Sequence, residues 1–240
     1  MSEDRIYASD PGTTSFQFNE AVAAVFPDML KRSIPGYEAS ILAIGSLASQ
    51  FVKEDTCCYD LGCSLGAATL AMRQNIAGRD ARIVAIDNSA AMIDRCRKIV
   101  EGDESPVPVE IISADVRDAS IENASMVVMN YTLQFLPIAD RDEMIAGIFA
   151  GLNNGGLFIL SEKVADEDGT IENILVDLHH EQKRRNAYSE SEISRKRAAI
   201  ENVLIPESLV SHRTRLSNAG FRHIGVWLRI YNFVSMIAIK

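Results

Sequence analysis

The stretch Tyr59-Asp60-Leu61-Gly62-Cys63-Ser64-Leu65-Gly66 marks the point where an apolar run ends, two glycines appear and a helical pattern begins. It reads as a strand-to-helix turn that receives a ligand. Gly62 and Gly66 allow close backbone approach without a Cβ in the way, and the following helix N-terminus offers unpaired N–H groups to a polar or anionic moiety. Asp60, two residues ahead of Gly62, sets this D-x-G-x-x-x-G pattern apart from the G-x-G-x-x-G of dinucleotide loops. An acid followed by glycines also occurs as a plain structural turn, so the rest of the chain must decide.

Strand-like and helix-like stretches alternate through the next hundred residues. The strands are expected at Cys57–Leu61, Arg82–Ile86, Val109–Ile112, Ser125–Asn130 and Gly156–Ser161, with helices starting near Ala67, Ala90 and Asp140. Such alternation predicts an α/β fold with a mostly parallel sheet covered by helices on both faces. Ligands in these sheets bind beyond the carboxyl ends of the strands. Asp60 to Gly66, Asp87-Asn88, Asp115-Val116 and Asn130 stand at four such ends. Asp87 follows the turn at a spacing near the ~20 residues at which an acid accepts hydrogen bonds from ribose hydroxyls. Helix capping is the competing explanation for Asp87 and Asp115.

Residues 1 to 18 are polar, with a Pro11-to-Ser15 breaker, and read as an N-terminal arm outside the core. A helix follows Asn19, with Pro27 implying a kink or fresh start, and a second runs over residues 38–52. Residues 19–240 form one expected domain. After Ser161 the alternation breaks into a charged helical insertion at about 162–206, then resumes as a helix and two strands, the last expected to be antiparallel. Lys183 to Arg197 holds six cations against two carboxylates. That cluster is either a solvated helix face or a pocket wall for a small anion, a task suited to the planar fork of arginine.

A formal charge of −9 argues against adhesion to nucleic acid or an anionic membrane. Cys57, Cys58, Cys63 and Cys96 lack paired zinc spacing and read as reduced thiols of a cytoplasmic protein. Cys63 has no His or Lys nearby in sequence to activate it as a nucleophile. His179-His180 point in different directions on a helix, so no metal site is expected there. No leader pattern and no membrane-length apolar run is apparent.

The D-x-G-x-x-x-G turn resembles the S-adenosylmethionine (SAM) loop of Rossmann-like methyltransferases. A more specific resemblance extends from about residue 19 to the C-terminus. Val25-Phe26-Pro27-Asp28-Met29, Arg32-Ser33-Ile34-Pro35-Gly36-Tyr37, the turn through Leu70, Thr132-Leu133-Gln134-Phe135-Leu136 and Tyr188-Ser189-Glu190 are similar to the carboxy-S-adenosyl-L-methionine synthase family. The resemblance implies a SAM substrate carboxylated on its methyl group, with prephenate as carboxyl donor and phenylpyruvate as co-product; a sulfonium ylide is the intermediate hypothesised for that reaction. The product then supplies a separate enzyme that converts wobble uridine of tRNA to its oxyacetic acid form. It further implies that Tyr37, Gly62, Cys63, Ser64, Asp87, Asn88, Asp115, Val116, Asn130 and Arg197 bind the carboxylated compound, Arg197 pairing with its new carboxylate. A homodimer without metal is the implied assembly. The segment from Tyr7 to Ser15 departs from the family pattern. The rival activities are a small-molecule methyltransferase with the same loop, an NAD-dependent oxidoreductase and a non-catalytic SAM-binding protein.

Overall fold

A computed structural model describes residues 3–9 and 15–240. Helices α1 (Glu20–Ser33) and α2 (Tyr37–Phe51) precede β1 (Thr56–Leu61), α3 (Ala67–Asn75), β2 (Ala81–Asp87), α4 (Ala90–Glu101) and β3 (Val109–Ser113). Then come β4 (Ala124–Asn130), α5 (Arg141–Gly151), β5 (Leu152–Ala165), α6 (Gly169–Arg185) and α7 (Glu190–Ile200). A two-residue β6 (Glu207–Ser208), α8 (Leu209–Ala219), β7 (His223–Ile230) and β8 (Phe233–Ile239) close the chain.

The sheet order is β3-β2-β1-β4-β5-β8-β7, with β1 to β5 parallel and β8 antiparallel to both β5 and β7. Chain order reverses between β1 and β4, the crevice at which doubly wound sheets receive ligands. Apolar side chains on both faces explain the continuous burial of the central strands. Tyr59, Val127, Phe158 and Met236 pack on one side with α5 and α8, and Cys58, Met126, Ile159 and Met72 pack on the other with α2 and α3.

Three features depart from the expectations. Pro27 lies inside an unbroken α1, where burial of Val22, Phe26 and Met29 offsets the N–H that proline lacks. Strand β5 runs to Ala165, past Ser161, because its pairing with β8 continues through Lys163 opposite Phe233. The segment before Asn19 is not peripheral: Asp4, Tyr7 and Phe16 are buried. Asp4 accepts a hydrogen bond from the Tyr188 hydroxyl at 2.5 Å, the Arg195 guanidinium donates to Tyr7 O at 2.9 Å, and Phe16 N donates to Ala199 O at 3.0 Å. These partners lie far away in sequence, so local polarity could not show the segment's burial. Of the Pro11-to-Ser15 breaker, all but Ser15 lies outside the described residues.

Candidate active site

Beyond the carboxyl ends of β1 to β5 lies a cavity of about 460 Å³. Its sheet side is set by the turn after β1. Gly62 has φ +83° and donates to Ile86 O at 2.8 Å, joined by Cys63 N at 3.0 Å. A Cβ on Gly62 would stand 2.2 Å from Thr132 Oγ1, so this glycine serves both the left-handed turn and the packing of the β4 loop. Ser64, also left-handed at φ +50°, aims its N–H at Asp87 Oδ2, 2.9 Å away.

The strand-end residues differ in how they are held. Asp60 is 1% exposed and accepts from Thr69 Oγ1 at 2.6 Å, while burial pushes its carboxyl up to about 6. The other oxygen of Asp87 accepts from Ser89 N at 2.8 Å, and burial moves this carboxyl upward too. Asp115 caps the turn from Val116 to Asp118 and is clasped by Arg117, which holds its carboxyl below the usual range. Asn130 Oδ1 is buried at the end of β4 and has no hydrogen-bond partner among the described residues, leaving an acceptor at the cavity wall.

The Cys63 thiol is buried, and its hydrogen bond with Cys96 together with burial pushes it far above the thiol range. Both effects oppose formation of a thiolate nucleophile there. Tyr37 reaches the cavity from the first turn of α2 after left-handed Gly36, and burial raises its phenol.

The opposite wall is cationic. Arg184 and Arg185 pair with Glu181 and Glu190 on the outside of the insertion, so that these two of the six cations form a solvated face. Lys183, Lys196 and Arg197 turn to the cavity, with Arg197 at its exposed rim. Lys196 donates to Ser33 Oγ at 3.0 Å and lies 3.7 Å from Asp4; burial still lowers it to about 8. His179 donates through Nε2 to Ser33 O at 2.8 Å, and burial depresses it to about 3, which keeps the ring neutral.

Asp60, Gly62, Cys63, Ser64, Asp87, Asn88, Asp115, Val116 and Asn130, with Tyr37 and Arg197, line this one cavity, whereas Gly66 of the same turn does not. Sequence reasoning missed Lys163 and Glu172, and also the aromatic wall of Phe16 and Phe18; Lys183 and Lys196 it held only as members of the basic cluster. Lys163 was within reach of the same rule, since it stands near the end of a fifth strand. Phe16 and Phe18 carried no such sign.

Strand order, the glycine turn and the acid ending β2 define a SAM-dependent methyltransferase-like fold. A methyltransferase domain model matches residues 59–156. Human N-acetylserotonin methyltransferase, solved with SAM, superposes at TM-score 0.62 and 15% identity over 98% of this chain and 57% of that one. An O-methyltransferase family protein from Burkholderia thailandensis does so at 0.66 and 14%, over 98% and 67%. These likenesses establish the fold alone.

Sequence relatives are far more specific. The carboxy-S-adenosyl-L-methionine synthase of Shewanella oneidensis is 53% identical over all of this chain and 99% of its own length. That of Mannheimia succiniciproducens is 52% identical over 100% of both, and that of Salmonella arizonae 52% over 93% and 90%. The chain belongs to the carboxy-S-adenosyl-L-methionine synthase family.

Proposed function

We propose that this enzyme converts SAM and prephenate to carboxy-S-adenosyl-L-methionine and phenylpyruvate. The observation that carries the reading is the meeting of Arg197 with the glycine turn and the strand-end polar set in one cavity. A carboxylated product adds a second carboxylate to the one SAM already carries, and a guanidinium is suited to receive it.

In this reading Asp87 accepts from the ribose hydroxyls, and Ser64 and Ser89 orient its two oxygens. Asp115, Val116 and Asn88 frame the adenine. Tyr37, Gly62, Cys63, Ser64 and Asn130 hold the remainder of SAM, and Arg197 receives the new carboxylate. Prephenate dianion breaks down to phenylpyruvate monoanion, CO2 and hydroxide. The hydroxide takes a proton from the SAM methyl, giving water and a sulfonium ylide, and the ylide carbon bonds to CO2. Arg197 is the residue assigned to this step. Walls formed by Phe16, Phe18 and Phe135 limit water, to which either intermediate would be lost. Holding the fragments together replaces a bimolecular encounter with a local one.

Residues 19–240 act as one SAM-binding domain with the insertion at about 162–206, and the segment before it helps to close the cavity. The product supplies the donor for wobble-uridine oxyacetic acid modification of tRNA by another enzyme. A cytoplasmic setting accords with the free cysteines. No helix among the described residues is long and apolar enough to cross a membrane. Ile171, Ile174 and Leu178 share an exposed face of α6 and support a homodimer, which light scattering tests directly.

Mass spectrometry of SAM incubated with enzyme and prephenate tests the activity. SAM must gain the mass of CO2; conversion to the demethylated thioether instead would establish a methyltransferase. Arg197→Ala is expected to weaken product binding by about 1.5–3 kcal/mol, the range for a hydrogen bond to a charged group at a partly wet rim. Unchanged product affinity would remove Arg197 from its assigned role.

A further inference from the structure

Once Arg197 is committed to the carboxylate that is transferred, the cavity still holds positive charge without a partner. Lys183, in the last turn of α6, is 9% exposed and lines the cavity. Its ammonium makes neither an ion pair nor a hydrogen bond among the described residues, in contrast to Lys196, which has Ser33 and Asp4. Lys163, half-buried near the end of β5, is likewise without an ion pair among the described residues. Lys163, Lys183 and Arg197 line the same cavity, and Lys196, Lys163 and Arg197 all act on Lys183 electrostatically. Glu172 opposes Lys163, with its Oε2 engaged by Asp166 N at 2.8 Å, and Asp4, already paired with Lys196, opposes Lys183.

A lysine that is nine-tenths buried and unpaired is costly and rarely kept without a compensating ligand. The direction of compensation is an anion, and one monoanion bound at Arg197 does not reach the sum of the charges. A dicarboxylate does. The two carboxylates of prephenate have different fates: the ring carboxylate leaves as CO2, whereas the 2-oxo acid carboxylate passes unchanged into phenylpyruvate.

We infer that Lys163 and Lys183 bind the 2-oxo acid carboxylate of prephenate and of phenylpyruvate, at a subsite separate from the Arg197 subsite. This rests on the proposed reaction. It divides the cavity into a strand-end half for SAM, a guanidinium for the carboxyl group in transit, and a paired-lysine anchor for the part of the donor that does not react. No bond at the anchored carboxylate changes, so its grip is the same before and after chemistry. Uniform binding of this kind appears in KM rather than kcat.

The test is steady-state kinetics of the full chain bearing Lys183→Met or Lys163→Met, with phenylpyruvate as product inhibitor and SAM affinity measured separately. Each variant is expected to raise KM for prephenate and the inhibition constant of phenylpyruvate by a similar factor, about thirtyfold or more for a desolvated charge pair. Changes in kcat should be far smaller, and SAM affinity should hold. Lys183→Arg should recover part of the loss. Arg197→Ala gives the contrast, lowering kcat. KM and inhibition constants within about twofold of the parent would overturn the anchor, as would a loss confined to kcat. A parent enzyme that forms no carboxylated SAM overturns the reaction itself, a result separable from failure of the anchor. Should Lys183→Met fail to accumulate folded, Lys163→Met and Lys183→Arg carry the same test.

Discussion

Gly62 answers two demands at once, a backbone at φ +83° and contact with Thr132 too close for any Cβ. Gly62→Ala should therefore lose about 2–4 kcal/mol, combining left-handed strain with overpacking. Urea denaturation reads this directly, and a loss below about 0.5 kcal/mol would show that the β4 loop yields freely. Asp60 gives a pH-dependent case. Its folded-state value of about 6 lies above the ordinary 3.8, so its contribution to stability is complete below 3.8 and is lost as pH rises through 6. Asp60→Asn keeps the acceptor for Thr69 and should stabilise the ligand-free protein above pH 6, by at most about 3 kcal/mol. The gain should vanish toward pH 4; a pH-independent difference would contradict the buried charge. Lys183 has the opposite sign. Its value of about 7 lies below 10.5, so its contribution is present above 10.5 and lost as pH falls through 7. Thermal melts of Lys183→Met should gain on the parent over that descent.

Among the elements, the segment before α1 and the α6–α7 insertion depend on each other. Asp4 sits between the Tyr188 hydroxyl and Lys196, while Arg32 lies over the Tyr188 ring, 3.9 Å from its centre. Asp4→Ala leaves Lys196 without its carboxylate and is expected to cost about 3–5 kcal/mol, the range for breaking a buried pair from one side. Tyr188→Phe should cost nearer 1 kcal/mol. Hydrogen exchange should quicken in both α7 and residues 15–19 for Asp4→Ala. Faster exchange in one segment alone would show that they are not coupled. The periodic elements were legible because a buried strand or amphipathic helix writes its contacts into neighbouring positions. The insertion was legible only as a charge surplus: Arg184 and Lys183 are adjacent residues of one type class, yet one faces solvent and the other the cavity. Helical phase and tertiary packing separate them, and composition does not.

On the scale of the molecule, acids end β1, β2 and β3 while cations from β5, α6 and α7 face them across the cavity. SAM bound between these walls should raise the melting temperature, by the equivalent of about 2.7 kcal/mol at a hundredfold excess over Kd. Asp87→Ala should reduce that shift for SAM and its carboxylated form alike, since the ribose is common to both. Selective loss for one of them would remove Asp87 from the ribose.

The D-x-G-x-x-x-G turn, the strand-end acids and Asn130 follow from sequence because strand period and the carboxyl-end rule are local and repetitive. Family resemblance to particular residues pointed to Arg197. Only the tertiary structure decided that Asp4 and Phe16 belong to the interior, that among the described residues Lys196 is paired and Lys183 is not, and that Lys163 joins Arg197 at one cavity. Those outcomes depend on which side chains meet across more than a hundred residues of chain, and burial sets their energies. The glycine turn announces a ligand from its own eight residues; the cationic wall of the cavity exists only where three distant elements converge.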